Sequence, residues 1–159
     1  MSIMIECRDD PVTEFIETMG VRFQEQNMPR IAGRLFGLLL IEGGPMSFAD
    51  LAERLQVSRG SVSTNARMLA DLGLIERVGK PGDRHDHYRM APGGLVSVFR
   101  KQLERLRWSD DFYRSIEARL PAHQRGSKQR LREIATYARK AAEGLERGLE
   151  EAEALLKET

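Results

Sequence analysis

The sequence predicts a mainly α-helical chain: a winged helix-turn-helix with a two-stranded β-wing, followed by long C-terminal helices that serve dimerisation. Three observations carry this prediction. Two short amphipathic segments, about Phe48–Leu55 and Ser58–Leu72, are joined by only Gln56-Val57-Ser58, so the helices must cross steeply. After Gly73 the apolar period changes from helical to strand-like, with turn chemistry in the middle. Finally, Leu131, Ala135, Ala138, Ala142, Leu145, Leu149, Ala152 and Leu156 recur at alternating steps of four and three, a coiled-coil seam made only of Leu and Ala.

The elements follow in order. Asp10-Pro11 starts a helix, because Asp can cap free amides and Pro suits the first helical position; Phe15, Met19 and Phe23 give it an apolar stripe up to about Asn27. A second helix over about Ile31–Glu42 is apolar on more than one face, as a buried helix would be, and Gly43-Gly44-Pro45 stops it. Ser47 and Asp50 form an N-terminal capping pattern for the third helix, with Leu51, Ala52 and Leu55 inside. In the fourth, Val62, Ala66, Leu69 and Leu72 keep helical spacing to the capping Gly73. Leu74–Val78 and His87–Met90 read as the two strands of a hairpin around Gly79–Asp83, a wing. Ala91-Pro92-Gly93-Gly94 is the clear break, and Leu95, Phe99, Leu103 and Leu106 mark a long helix to about Leu120, with Ser109-Asp110 as a candidate interruption. The expected divisions are 1–28, a helix contributing to the dimer or core; 29–92, the winged helix-turn-helix; and 93–159, the dimerisation helices.

Composition narrows the function. A chain of 159 residues can bury a real core but cannot hold two independent enzyme domains, and a net charge of +1 argues against non-specific polyanion binding by the whole chain. No apolar run approaches the roughly 20 residues of a membrane span, and the acidic start with Glu6, Asp9 and Asp10 does not read as a signal peptide. A cytoplasmic location is expected, with no membrane partner. The single Cys7 cannot form an internal disulfide, in keeping with a reducing compartment.

The fourth helix divides as a major-groove helix must. Val62, Ala66 and Leu69 point inward, Arg59, Gly60, Ser63, Thr64 and Arg67 lie opposite, and Ser61 and Asn65 stand at the edges. Arg grips guanine bidentately, Ser and Thr bond bases or phosphates, and Gly60 permits close backbone approach at a helix start that favours phosphate. Lys80, Arg84 and His85 sit at or near the wing tip, where a cation can enter the minor groove or clamp flanking phosphates. Double-stranded DNA is therefore the expected partner. The competing reading of the same module is a protein-protein contact. His85, Asp86 and His87 are too divergent on a strand to hold a metal, and Gly60-Ser61-Val62-Ser63 lacks the closing Gly and preceding strand of a nucleophile elbow. Neither catalysis nor a cofactor is expected.

The run FADLAERLQVSRGSVSTNARMLADLGLIERVGKPGDRHDHYRM resembles the MarR family of bacterial regulators, and MPRIAGRLFGLLLIEGGPMSFADLAERL is similar to its GbsR-like branch. The resemblance covers about Phe15–Gly94, and the C-terminal helices by pattern alone. It implies that Arg84 contacts DNA and Asp83 orients it; at His85-Asp86-His87 many relatives carry further Arg. It also implies a homodimer with shared terminal helices, which suits an inverted-repeat operator; repression is the commoner outcome among relatives. The Leu131–Leu156 seam itself needs a partner, either the Leu95–Leu120 helix of the same chain or a second chain. Trp108, Phe112 and Tyr113 are an effector-pocket candidate as well as ordinary core, and the GbsR-like resemblance suggests quaternary ammonium osmolytes as small-molecule effectors.

Overall fold

The computed structural model describes residues 10–79, 82 and 86–157. They form six helices and three short strands: α1 (Pro11–Glu25), α2 (Arg30–Glu42), β1 (Met46–Ser47), α3 (Phe48–Leu55), α4 (Arg59–Asp71), β2 (Ile75–Val78), β3 (His87–Met90), α5 (Gly94–Arg119) and α6 (Arg125–Lys157). The chain divides into two compact units, 1–95 and 96–159. Among the described residues no helix is long and apolar enough to cross a membrane.

In the first unit, α2 is the central helix, with Leu35, Leu38 and Leu39 almost wholly buried beside Leu51, Leu55, Val62 and Leu69. α1 starts where Asp10 accepts bonds from the amides of Val12 and Thr13, both at 3.1 Å, and from the Thr13 hydroxyl at 2.6 Å. The Thr13 hydroxyl and these amides hold the Asp10 carboxyl below its ordinary range. The buried stripe of α1 is Ile16, Gly20 and Phe23, one residue round from the expected Phe15 and Met19. The shift follows from backbone contact. A Cβ on Gly33 would lie 2.3 Å from the Met19 carbonyl oxygen, and one on Gly37 only 3.3 Å from the Ile16 Cα, so α1 and α2 approach as only glycine allows. Glu17 ties the pair further, accepting from Arg30 and Arg34 at 2.8 Å each. Burial pushes its carboxyl up, but the two guanidinium groups outweigh it and hold the group below its ordinary range.

Ser47 caps α3 reciprocally: its hydroxyl accepts from the Asp50 amide at 3.2 Å, and its own amide donates to the Asp50 carboxylate at 3.3 Å. Gln56 then turns the chain in the left-handed region (φ 54°), and Ser58 caps α4 by accepting from the Ser61 amide at 3.1 Å. Gly73 (φ 80°) ends α4 as expected.

The expected two-stranded wing is the β2–β3 hairpin of a three-stranded antiparallel sheet, ordered β1-β3-β2. β1 adds to it, pairing Met46 with Tyr88 and Ser47 with His87, while β2 pairs Ile75 with Met90 and Val78 with His87. The extra strand is two residues of extended lead-in to the α3 cap, too short to show any period.

In the second unit, α5 and α6 run antiparallel, and ion pairs link Arg100 to Glu153, Arg107 to Glu146 and Arg132 to Glu117 along their length. Leu103 on α5 and Ala135, Ala138 and Ala142 on α6 are buried. α5 is continuous through Ser109-Asp110, where the Ser109 hydroxyl donates to the Arg105 carbonyl and Asp110 accepts from Arg114 one turn on. Ser here bonds back into its own helix instead of ending it.

Candidate nucleic-acid interface

α4 is anchored from below and bare above. Val62, Ala66 and Leu69 are fully buried, and Asn65, expected at an edge, is buried as well. The Asn65 amide nitrogen donates to the Ser61 carbonyl at 2.8 Å, while its Oδ1 is buried without a partner among the described residues. The buried arc is thus wider than a three-residue stripe, which holds the helix against rolling.

Arg59, Gly60, Thr64 and Arg67 are exposed, and Ser61 and Ser63 are half-buried. Gly60, Thr64 and Arg67 follow at steps of four and three on one face. A Cβ on Gly60 would meet only the Ser58 hydroxyl, at 3.8 Å, so the helix start lies open to an approaching group. The Ser61 hydroxyl stands 3.0 Å from that of Ser58 and shares in the cap. Lys80, Asp83, Arg84 and His85 lie outside the described residues, as does Cys7. Of the flanking wing residues, Asp86 pairs with Arg77 at 2.5 Å, and His87 is buried on β3.

Ion pairing separates the described arginines of this unit into two groups. Arg22, Arg30, Arg34, Arg54, Arg77 and Arg89 each meet a carboxylate at 3.1 Å or less. Arg59 and Arg67, both on α4, form no ion pair among the described residues. Composition alone cannot show this distinction. Every other described arginine of the unit is paired with an acid from that unit, so among the described residues of this unit α4 is where unpaired positive charge remains for an external anion.

The aromatic cluster lies in the second unit. Trp108 and Phe112 stack on α5 with centroids 5.0 Å apart and planes within 6°, Trp108 being 64% and Phe112 43% exposed. Tyr113 leans on Phe112 at 5.8 Å. A shallow depression beside Trp108 is lined by Lys101, Glu104, Arg105 and Ser109; Phe112 and Tyr113 do not line it. Sequence reasoning missed those four residues, which surround the ring at helical spacing and looked like ordinary solvated positions.

Residues 26–84 match the family model of the MarR family. A solved structure described as a transcriptional regulator is 31% identical, with a TM-score of 0.69 over 91% of this chain and 99% of its own. The HTH-type transcriptional regulator MmpR5 of Mycobacterium tuberculosis is 40% identical over 93 residues, 58% of this chain and 56% of its own length. The putative HTH-type transcriptional regulator YvaV of Bacillus subtilis is 29% identical over 87 residues, 55% of this chain and 48% of its own length. The chain thus spans about half the length of these curated relatives. With the family match lying over the helix-turn-helix and a near full-length likeness to a transcriptional regulator, the chain belongs to the MarR family of transcriptional regulators.

Proposed function

We propose that the chain is a cytoplasmic homodimeric repressor that inserts α4 into the major groove of an inverted-repeat operator. The observation that carries the reading is the pair Arg59 and Arg67, exposed on α4 and without ion pairs among the described residues while the other described arginines of the unit are matched. In this reading Arg67 and Thr64 reach base edges, Arg59, Gly60, Ser61 and Ser63 meet phosphates near the helix start, and Lys80, Arg84 and His85 add contacts from the wing. The functional divisions are 1–28, whose helix contributes to the dimer or core, 29–92 for DNA and 93–159 for dimerisation. Two copies read two half-sites, and a dimer seated over a promoter keeps polymerase out by occupancy.

Selection of bound duplexes from a random pool tests this directly. The expected product is an inverted repeat with half-site centres about one helical turn apart, roughly 10 base pairs. Affinity for it should fall steeply with salt, as phosphate contacts release counterions. A pool that never enriches, or binding indifferent to salt, would favour the protein-contact reading of the winged helix instead.

A second element of the proposal is release by a small cationic effector, as the GbsR-like resemblance implies. The stacked and exposed Trp108, with Glu104 beside it, supports this part: a quaternary ammonium group is drawn to an indole face and a carboxylate, although Lys101 and Arg105 oppose it. Choline added to the intact protein is expected to shift the emission of its single Trp108 and to weaken operator binding. A panel of such cations that changes neither quantity removes the effector site.

A further inference from the structure

Residues 60–65 of α4 read Gly-Ser-Val-Ser-Thr-Asn, a stretch without one strong helix former. Yet it carries Gly60, Ser63 and Thr64 of the docking face, so something other than propensity has to hold its shape. On the outside, Ser58 caps the start: its hydroxyl accepts from the Ser61 amide at 3.1 Å and lies 3.0 Å from the Ser61 hydroxyl. On the inside, Asn65 donates from its side-chain amide to the Ser61 carbonyl at 2.8 Å. Ser61 is thus gripped at its amide from one side and at its carbonyl from the other.

The inner grip is the unusual one. Asn65 is 6% exposed, and where the neighbouring buried positions hold the apolar Ala66 and Leu69, a carboxamide stands here. Its nitrogen is used on Ser61; its Oδ1 stays buried and, among the described residues, is the one such side-chain atom without a partner. A buried acceptor left unmatched lowers stability, and Asn is a poorer helix former than Ala, so folding alone gives no reason for this residue. The same backward bond is made elsewhere without that loss. Ser109 donates to the Arg105 carbonyl at 2.9 Å and Thr136 to the Arg132 carbonyl at 2.8 Å, both from half-buried positions. Such a bond draws on a carbonyl that also serves the helix ladder, and so alters the local bend of the turn.

We propose that Asn65 is a positioning residue for DNA reading: through the Ser61 carbonyl it sets the tilt of the first turn of α4, and with it the offset of Arg59 and Gly60 from Thr64 and Arg67. The role rests on the docking of α4 put forward above. Phosphate contacts at the helix start and base contacts one turn on then meet one duplex in register, although Asn65 itself is buried away from it. A buried polar group can be kept because it fixes a single arrangement, at the expense of stability.

The test compares Asn65→Ala with Asn65→Ser in the full chain. Both leave nearly the same space, and only Ser can restore the bond to the Ser61 carbonyl, as Ser109 bonds Arg105 in α5. Asn65→Ala is expected to lower affinity for the selected operator by roughly three- to tenfold, the net effect of one intramolecular hydrogen bond, while binding to unrelated duplex stays as in wild type. Its unfolding midpoint should hold, because removing an unmatched acceptor and gaining a better helix former offset the bond and packing that are lost. Asn65→Ser is expected to recover most of the operator affinity. The amide nitrogen resonance of Val62, which shares a peptide with the Ser61 carbonyl, reports the bond itself: it should move in Asn65→Ala and return in Asn65→Ser. Operator discrimination equal in Asn65→Ala and wild type, or weakened alike in the two variants, overturns this role and leaves α4 as the docking helix. A fall in specific binding, non-specific binding and midpoint together marks a purely structural residue and overturns it as well. A wild type that enriches no operator removes the docking reading itself, and this role with it.

Discussion

Arg67→Ala is expected to weaken binding to the selected operator by roughly ten- to a hundredfold, the equivalent of losing one bidentate base contact of about 1–3 kcal/mol. The protein should be otherwise unchanged, because Arg67 is exposed and has no ion pair to lose among the described residues. Fluorescence anisotropy at one fixed salt concentration gives the affinity, and thermal unfolding and sedimentation supply the controls. Arg67→Lys keeps the charge but not the fork; it should recover the salt dependence without recovering sequence discrimination. Arg84→Ala, on the wing, is expected to lower affinity with the dimer intact. Operator binding unchanged in both alanine variants would sink the docking model, whatever the selection experiment had returned.

Gly33→Val is the change with the largest expected effect on stability. Two terms oppose each other: removing glycine from a helix interior gains at most about 1 kcal/mol, less for a β-branched residue, whereas overpacking costs typically 1–3 kcal/mol and can exceed that. Here the new Cβ would sit 2.3 Å from a backbone oxygen, which cannot swing aside as the end of a side chain can. Overpacking therefore wins, and α1 must lift from α2. The unfolding midpoint of the first unit should drop by roughly 10 °C or more, at about 4–8 °C per kcal/mol for a unit of this size. Gly60→Ala is the matched control, since its added methyl meets only one hydroxyl at ordinary contact distance. Equal midpoints for the two variants would contradict the close approach of α1 and α2.

These two positions also mark how far the sequence can be read. The helices of the first unit were legible because their boundaries carry their own chemistry: Asp10 and Ser47 cap, Gly43 and Gly73 terminate, and the apolar period changes at Leu74. The interlock of Gly20, Gly33 and Gly37 was not, because a residue without a side chain leaves no mark on a hydrophobic pattern. Asn65 hid for the opposite reason: a polar side chain reads as surface until its bond to the Ser61 carbonyl is seen. For the recognition face, residue types indicated α4, but the pairing that singles out Arg59 and Arg67 depends on partners distant in sequence, such as Glu42 for Arg54 and Glu17 for Arg34.

Ser47 holds two posts at once, as the β1 residue paired with His87 and as the cap of α3. The turn-side end of β3, where His87 also pairs with Val78, and the leading helix of the helix-turn-helix are therefore clamped by one residue. Any rocking of β3 at that end pulls on the amide and hydroxyl that start α3, and bending there has to break a ladder pair and a helix cap together. In the docking proposed above, α3 and the strands β2 and β3 therefore keep one fixed relation to each other, set by the protein before any DNA arrives.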